Sequence, residues 1–516
     1  MEVRKRRLEL MIWAFVLSLA FYPEWFGFLA WFALVRPLMI IARLKGRDAF
    51  WAAYLFGFFF NLFTLYWIAI TTPPGMITAV TAIGFYYAAG LYLFNLAYRF
   101  KPLYGMILVP FIWVGIEYFR TITELAFPWS DIGYTQAYYL YILQIISIIS
   151  IHGLSLLIVG INVLIWQVFR KELEPARRLT AGYLSVAVVV LLVAYGWIVT
   201  PPYPLPGTIN VTVLQGSVPI NVKWAEGNEA YSYELYDSLA RSVADSSTLL
   251  YLWPETSVPT YLSHDSRGRR RIGQTARATN AYHVVGSLGA SQQGEFIRHH
   301  NSSYLFEPDG SNQLRHDKVK LVPFTEQVPY QRNLPFLRRE FLIKYLTFIE
   351  TYDVNWWSDF VPGDSAVLFP MDDYLCGVMI CYEAVFPEYP RELILKGADF
   401  LVGITNDTWW EHTVGVHMHA RFLVARAVEN RCWMARSANS GLSFIVDGYG
   451  RIRSSIPEDA VVAMKGSVRP IDGFTPYTRI GDIAGLLSFL ITISLSAIFV
   501  ARWLLMKLMP RRFTSG

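Results

Sequence analysis

Residues 376–383 read CGVMICYE, an apolar run that ends abruptly on a cysteine, a tyrosine and a glutamate. The run is short and β-rich, and Pro387 indicates that a helix starts soon after it, so the pattern predicts a strand-to-helix turn at Cys381. Such a turn presents a thiol at the edge of a sheet, with backbone N–H groups nearby. Cys381 is therefore a candidate nucleophile, although a free cysteine is more often a small buried hydrophobe.

Around this turn, from about residue 200 to 480, short β-rich runs alternate with helical stretches. Helical patterns cover Asn228–Ala244 and His417–Arg431, while Asp309-Gly310 and Asp447-Gly448 are hairpin-turn signals. The predicted strands are Ile209–Leu214, Leu249–Trp253, Tyr282–Ser287, Tyr304–Glu307, Cys376–Ile380, Phe400–Gly403 and Ser443–Val446. This alternation indicates a layered α/β or α+β domain of about 270 residues, large enough to bury its own core.

The segments on either side of this domain are far more apolar. Over the whole chain 54% of residues are apolar and 16% are charged, against about 25% charged in soluble domains, which excludes an ordinary cytosolic globule and intrinsic disorder. About 20 apolar residues cross a bilayer as a helix. We therefore predict eight spans, at Leu10–Tyr22, Trp25–Ala42, Trp51–Thr71, Met76–Tyr98, Leu103–Phe119, Tyr138–Phe169, Leu179–Val199 and Ile483–Ala501. The first, second and fifth spans are the weakest, and buried helices of a soluble core are the alternative for them.

Positive charge predicts the orientation, because cytoplasmic loops retain Lys and Arg. The N-terminal tail MEVRKRR is basic, and with eight spans every second loop carries Lys or Arg on its side, as does the C-terminal end. Both termini are then cytoplasmic, and the first span is expected to stay as an uncleaved anchor. We expect a membrane domain over residues 1–199, an extracytoplasmic domain over 200–476, and a last helix with its tail over 477–516. The net charge of +5 is too small and scattered to indicate nucleic acid.

A cysteine nucleophile needs a base and a group that stabilises negative charge. Glu255 follows the apolar strand Leu249–Trp253, and Lys318 borders a second apolar run. Each has a plain structural interpretation, Glu255 as a cap or solvent-facing carboxylate and Lys318 as part of a solvated face. His417 and His419 are two residues apart rather than the four of a helical metal pair, so we predict no metal site. Three cysteines cannot form a disulfide framework.

Taken together, these segments resemble the nitrilase superfamily, which uses a Glu-Lys-Cys triad on an αββα sandwich. The strings that carry this resemblance are WPE (Trp253–Glu255), DKVKLVPFTE (Asp317–Glu326) and CYE (Cys381–Glu383). With the membrane part, the whole chain resembles the apolipoprotein N-acyltransferase family, through FPWSDIGYTQ (Phe127–Gln136), QGSVPINVKW (Gln215–Trp224), ITNDTWW (Ile404–Trp410), RSANSG (Arg436–Gly441) and TPYTRIGD (Thr475–Asp482). Two positions depart from the family's lysine motif, where Lys320 replaces a histidine and Thr325 replaces a glycine.

The resemblance implies acyl transfer through a covalent thioester. Glu255 would take the proton of the Cys381 thiol, the sulfur would attack an ester of a phospholipid, and Lys318 with the Tyr382 N–H would stabilise the oxyanion. The acyl chain would then pass to the N-terminal amine of the diacylglyceryl-cysteine of an apolipoprotein. This is the final step of bacterial lipoprotein maturation, and it needs no cofactor. It places the chain in the bacterial cytoplasmic (inner) membrane, as a monomer, with phospholipid and apolipoprotein as partners and no nucleic acid.

The resemblance also implies supporting residues. Glu326 and Glu383 would orient the lysine and the backbone of the site, while Tyr382 and Trp224 would line the pocket. An aromatic stretch supplies a possible lid over the lipid, or else part of the domain core, and its residues are Phe341, Tyr345, Trp356 and Trp357.

Two other functions remain open from the residues alone. One is a membrane-tethered amidase that passes its acyl group to water, although a soluble substrate gives no reason for eight helices. The other is a non-catalytic transporter or scaffold, which the filled Glu-Lys-Cys positions argue against.

Overall fold

Long apolar helices form the N-terminal part of the chain in the computed structural model, which describes residues 2–23, 25–225, 227–293, 296–338, 341 and 358–508. The helices of this part are α1 (Glu2–Leu19), α2 (Val35–Arg43), α3 (Gly46–Leu65), α4 (Ile68–Thr71), α5 (Pro73–Phe100), α6 (Pro102–Phe119), α7 (Leu140–Leu143), α8 (Ile146–Val168) and α9 (Pro175–Val199). The remaining helices lie in the second part of the chain, which contains the β-strands, and after it. They are α10 (Ile220–Lys223), α11 (Glu229–Ser242), α12 (Ser266–Thr279), α13 (Glu388–Leu395), α14 (Val414–Asn430), α15 (Pro476–Ile480) and α16 (Ile483–Leu508).

Within the described ranges, six helices are long and apolar enough to cross a membrane, namely α3, α5, α6, α8, α9 and α16. They coincide with six of the eight predicted spans. The predicted span Trp25–Ala42 is not one helix, because a 3-10 helix over Gly27–Trp31 is followed by the nine residues of α2. Nine helical residues rise only about 14 Å, half of the bilayer core. Pro37 lies in the first turn of α2, the helical position where its missing N–H and its ring are best tolerated. The predicted first span, Leu10–Tyr22, overlaps the second half of α1 and extends beyond its end at Leu19, and the first turns of α1 are basic.

Two mixed sheets form the second part of the chain. Their strands are β1 (Ile209–Gln215), β2 (Leu250–Leu252), β3 (Val258–Tyr261), β4 (Tyr282–Gln293), β5 (Phe296–Phe306), β6 (Leu314–Asp317), β7 (Leu368–Met371), β8 (Tyr374–Ile380), β9 (Phe400–Thr405), β10 (Met434–Ala438), β11 (Ser443–Val446), β12 (Ile452–Ile456) and β13 (Val462–Val468). The first sheet has the order β13-β1-β2-β4-β5-β6, with β3 beside β4, and the second has the order β12-β11-β10-β9-β8-β7.

The sheets pack face to face, with helices on both outer faces. Apolar residues of both sheets, such as Val213, Val378 and Val402, share one buried cluster between them. A second cluster joins the first sheet to α11 and α12, and a third joins the second sheet to α13, α14 and the membrane helices. The order is therefore helix, sheet, sheet, helix, as the sequence predicts. Strands such as β9 are buried on both faces, which explains why they read as continuous apolar runs.

All seven predicted strands coincide with strands of the structure, and both hairpin-turn signals join antiparallel pairs, β5 to β6 and β11 to β12. Sequence patterns miss β3, β6, β7, β10, β12 and β13. Polar residues interrupt the apolar pattern in most of these strands, as in LRHD for β6 and IRSSI for β12, while β7 is a short LFPM that contains a proline. Strands β6 and β12 each lie at the end of a sheet, where one side has no neighbouring strand.

The sandwich is joined to the membrane helices through buried charges. Helix α8 is interrupted at Ser150, whose φ of 67° is not helical. The Ile151 N–H of the following turn therefore has no partner within the helix, and it donates to Glu429 Oε1 of α14 at 3.2 Å. Glu429 Oε2 lies 3.2 Å from Arg426 Nη1, and both side chains are fully buried. One carboxylate of the sandwich thus binds both a membrane helix and a buried guanidinium.

We expect Glu429→Ala to destabilise the chain by about 3–5 kcal/mol, because it leaves Arg426 as an unpaired buried charge. Glu429→Gln keeps an oxygen for the Ile151 N–H and should cost less. Thermal unfolding of the full chain in detergent measures both. Glu388→Ala removes an exposed partner of Arg391 and serves as the surface control, for which about 1 kcal/mol or less is expected. Equal losses for Glu429→Ala and Glu388→Ala would contradict the assignment.

Candidate active site

Cys381 lies where β8 ends, as the sequence predicts. Its φ of 49° is in the left-handed region, which is uncommon for a residue with a side chain and recurs at functional turns. The chain continues directly into a 3-10 helix over Cys381–Val385. Cys381 is partly exposed, whereas Cys376 and Cys432 are buried.

Glu383 fixes the backbone on both sides of this turn. Its Oε2 accepts a hydrogen bond from the Ile380 N–H at 2.7 Å, and its Oε1 accepts one from the Val319 N–H at 2.6 Å. Val319 follows Lys318, so one fully buried carboxylate ties the lysine segment to the cysteine turn. The His316 Nε2 lies 3.3 Å from Glu383 Oε2. These contacts hold the backbone on both sides of the turn, and the orienting role of Glu383 stays a prediction.

Lys318 follows β6 and is buried beside two carboxylates. Its Nζ donates to Glu326 Oε1 at 2.9 Å and lies 3.4 Å from Glu255 Oε1. Asn301 of β5 donates through Nδ2 to the same two oxygens, at 2.7 Å to Glu255 and 2.9 Å to Glu326. Glu326 Oε2 accepts from the Val322 N–H at 2.8 Å. The structure therefore brings Glu255, Glu326 and Lys318 together, with Asn301 as an amide bridge that the sequence did not indicate.

Burial and charge fix the proton states of the two central groups. Burial raises the pKa of the Cys381 thiol well above its ordinary value, and Glu255 raises it further, while Lys318 opposes them. Burial would lower the pKa of Lys318, but Glu326 and Glu255 outweigh burial and raise it. At neutral pH the site therefore holds a protonated thiol and a charged ammonium. The thiol needs a base before it can attack, and the ammonium cannot be that base.

Tyr382 and Trp224 have different surroundings. Tyr382 is buried, its hydroxyl donates to the Ala126 carbonyl at 2.8 Å, and its ring stacks on Trp129 with 6.4 Å between centroids. The side chain thus attaches the cysteine turn to the loop of the membrane part. Trp224 is 44% exposed at the end of α10. Phe341 is half exposed, and Tyr345, Trp356 and Trp357 lie outside the described residues.

A second lysine, Lys223, is buried behind Glu255 and was missed by sequence reasoning. Its Nζ donates to the backbone carbonyl of Glu255 at 3.2 Å. Burial lowers its pKa from 10.5 to about 7, although Glu255 acts in the opposite direction. Nothing in QGSVPINVKW distinguishes this lysine from a solvated one, because α10 has only four residues and no readable face. The structure also places His419 and Asp407 beside the cysteine turn.

Comparison with known proteins matches the helical N-terminal part and the two-sheet part of the chain to separate families. Residues 13–164 match the family described as "Apolipoprotein N-acyltransferase N-terminal domain", and residues 211–464 match "Carbon-nitrogen hydrolase". An apolipoprotein N-acyltransferase of Geobacter metallireducens is 32% identical over 500 residues, which cover 93% of this chain and 92% of the relative. The chain belongs to the apolipoprotein N-acyltransferase family.

Other relatives and a solved structure match less closely. The apolipoprotein N-acyltransferase of Rickettsia prowazekii is 28% identical over 460 residues, 85% of this chain and 87% of the relative. A crystal structure of an amidase from Nesterenkonia sp. aligns with 54% of this chain and 95% of its own, at 17% identity and a TM-score of 0.38.

Membership of the apolipoprotein N-acyltransferase family sets the reaction class. The chain is an N-acyltransferase enzyme, and the family implies N-acylation of lipoproteins, with lipid and lipoprotein substrates in a membrane setting. A carbon-nitrogen hydrolase domain with mixed sheets carries the site. Six apolar helices among the described residues agree with the membrane setting.

The pKa of Lys223 predicts a specific pH dependence of stability. The unfolded chain holds one more proton on this lysine between about pH 7 and 10.5, so Lys223 adds a positive slope of up to about 1.4 kcal/mol per pH unit to the free energy of unfolding, on top of the slopes of the other titrating groups. Lys223→Met should remove that slope. Apparent melting temperatures of the detergent-solubilised chain from pH 7 to 9.5 measure it. Lys465→Met, at an exposed ion pair with Asp245, is the control that should retain the slope. A slope unchanged in Lys223→Met contradicts a neutral buried lysine.

Proposed function

We propose that the chain transfers a fatty acyl chain from a phospholipid to the N-terminal amine of the diacylglyceryl-cysteine of apolipoproteins, through a thioester on Cys381. The observation that carries the proposal is the Cys381 thiol at a left-handed turn, close enough to Glu255 and Lys318 for both charges to act on it. A nucleophile, a carboxylate and a fixed positive charge are the three parts that covalent acyl transfer needs.

The first half-reaction begins with the removal of the thiol proton. Glu255 accepts this proton while the sulfur attacks the ester carbonyl of the phospholipid. Lys318 is the electrostatic partner of the developing oxyanion, because its ammonium stays charged beside Glu255 and Glu326. The Tyr382 N–H is the second donor, since it follows the nucleophile directly. Collapse of the intermediate expels a lysophospholipid, whose departing oxygen takes the proton from Glu255, and leaves the thioester and a free Glu255 carboxylate.

The second half-reaction reverses the roles of the same groups. The lipoprotein amine attacks the thioester carbonyl, the oxyanion forms at the same donors, and the proton lost by the amine passes to Glu255 and then to the departing sulfur. Such a two-step exchange is the usual consequence of covalent catalysis. It requires only one lipid substrate at the sulfur at a time.

The membrane arrangement belongs to the same proposal. We propose eight crossings, with α1 and the segment Trp25–Ala42 as the two that lie outside the six long apolar helices. The domains are then residues 1–199, 200–476 and 477–516, with both termini cytoplasmic and the sandwich on the outer side of the inner membrane. The basic residues in the first turns of α1 support this orientation. The chain acts as a monomer, with the bilayer, phospholipid and apolipoprotein as its partners.

Intact mass spectrometry of the chain purified from membranes tests the thioester. We expect a fatty-acyl adduct on Cys381 that disappears in Cys381→Ala and is discharged by a diacylated lipopeptide. Cys432→Ala, at a buried thiol, should keep the adduct. Glu255→Gln removes the base, so its acylation should slow by about 10²–10⁴-fold. Absence of the adduct in the wild-type chain supplied with phospholipid contradicts the proposal. Discharge to free fatty acid, with no acylated lipopeptide, indicates the amidase alternative.

The aromatic residues Phe341, Tyr345, Trp356 and Trp357 are proposed to contact the outer leaflet and control lipid entry, because Trp and Tyr are typical of membrane interfaces. Replacing Trp356 and Trp357 by Ser should then slow acyl transfer from phospholipid in vesicles and leave the Cys381 thiol reactive towards a small alkylating reagent. Tyr203→Ser, at an exposed aromatic before β1, is the control. Unchanged turnover in vesicles for the Trp356 and Trp357 variant contradicts the lid.

A further inference from the structure

A buried group of three charged or polar side chains lies directly behind the nucleophile and takes no part in the mechanism above. His419 of α14 is held by Asp407, whose Oδ1 lies 2.9 Å from its Nδ1. Arg436 of β10 donates through Nη2 to Asp407 Oδ2 at 2.7 Å. All three side chains are at least nine-tenths buried. Burial alone would raise the pKa of Asp407, but Arg436 and His419 outweigh it and lower the pKa to about 2, so Asp407 is a carboxylate.

The other nitrogen of His419 faces the backbone of the nucleophile. His419 Nε2 lies 3.2 Å from the carbonyl oxygen of Cys381. A carbonyl oxygen can only accept, so Nε2 is the donor. The Arg436 Nη2 also lies 3.1 Å from Nδ1, and the aromatic rings of Trp129 and Trp410 border the imidazole. These contacts fix the orientation of the imidazole ring, and its Nε2–H points at the Cys381 carbonyl oxygen.

The peptide that accepts this hydrogen bond is the one that supplies the oxyanion donor. The Cys381 carbonyl and the Tyr382 N–H belong to the same amide group. A donor at the oxygen of an amide polarises the group and strengthens its N–H as a donor, because hydrogen bonds in chains polarise one another. The same contact holds the peptide plane of a residue whose φ of 49° is strained.

We propose that His419 is a positioning residue for acyl transfer, which orients and polarises the Cys381–Tyr382 peptide so that its N–H binds the oxyanion. Asp407 and Arg436 keep the imidazole in the required orientation. The inference deepens the proposed function and rests on it for the role of the Tyr382 N–H. His419 contacts neither the thiol nor the substrate, and it acts through the peptide alone.

Two reagents separate this role from simple support of the fold. An activated ester such as p-nitrophenyl butyrate reacts through an oxyanion: the Cys381 sulfur bonds the acyl carbon, p-nitrophenolate leaves and the thiol proton goes to Glu255. Iodoacetamide alkylates the same sulfur by displacing iodide, and no oxyanion forms. A change in the oxyanion donor should therefore slow the first reaction and not the second.

The variants are chosen to remove, retain or bypass the hydrogen bond, in the full chain in detergent. His419→Phe keeps a ring and removes the donor, so the maximal rate of Cys381 acylation should fall about 10- to 30-fold, less than the 10²–10³-fold for loss of a whole oxyanion donor. The half-saturating ester concentration and the alkylation rate should stay close to those of the wild type. His419→Gln retains an N–H and should recover most of the rate. His417→Phe, two residues away and 3.4 Å from Glu458, should change neither rate.

Each outcome decides the proposal. Acylation and alkylation that fall together in His419→Phe, or acylation that does not fall, overturn the positioning role. A wild-type chain that is alkylated but never acylated by the ester also overturns it. If the ester acylates Cys381 of the wild-type chain but phospholipid does not, phospholipid is not the acyl donor. The positioning role of His419 is then decided by the comparison of the variants with the ester.

Discussion

The constraint on which the site depends is the burial of a charged ammonium beside a thiol. Transfer of an ammonium from water into protein costs several kcal/mol unless charges and hydrogen bonds compensate it. Lys318 meets this condition through two carboxylates at 2.9 and 3.4 Å, and Asn301 donates to the same two oxygens. Because two carboxylates lie beside one lysine, they raise the pKa of Lys318 and keep it charged. Burial and the charge of Glu255 raise the pKa of the Cys381 thiol, so it keeps its proton until a substrate arrives.

The strand pairing of the first sheet supplies this arrangement. The Lys318 N–H donates to the Asn301 carbonyl at 2.8 Å, so the end of β6 is held beside β5 and the two side chains meet the same carboxylates. Glu383 then joins the lysine segment to the cysteine turn of the second sheet. The proposed catalytic groups therefore come from both sheets, and the face-to-face packing of the sandwich fixes the distance between them.

The place of a residue in the site could be predicted from the sequence only where the adjacent residues of the chain determine it. Cys381 and Glu255 each follow an apolar run, so their positions at strand ends could be read directly. Lys318 follows the polar strand β6 instead, and only the apolar run after it and the family resemblance indicated it. Asn301 lies within a polar stretch of β5, and its role arises from pairing with a strand that carries no apolar pattern. His419 lies on a helix 38 residues beyond Cys381 in the chain, so only tertiary packing brings it to the Cys381 carbonyl. The segment Trp25–Ala42 is divided into a 3-10 helix and α2, which composition alone does not show.

The two departures from the family's lysine motif fit the backbone of this chain. The left-handed residue of the segment is Phe324, with φ of 63°, and not Thr325, so a residue with a side chain is accommodated where the family has glycine. The Thr325 carbonyl accepts the Ser358 N–H at 2.8 Å. Lys320 places its Nζ 5.5 Å above the ring of Phe386, within the range of a cation–π contact. Glu326 is held by the Val322 N–H and by Lys318, neither of which involves the changed side chains. The Glu326 carboxylate, which raises the pKa of Lys318, is therefore held by contacts that do not involve the side chains of Lys320 and Thr325.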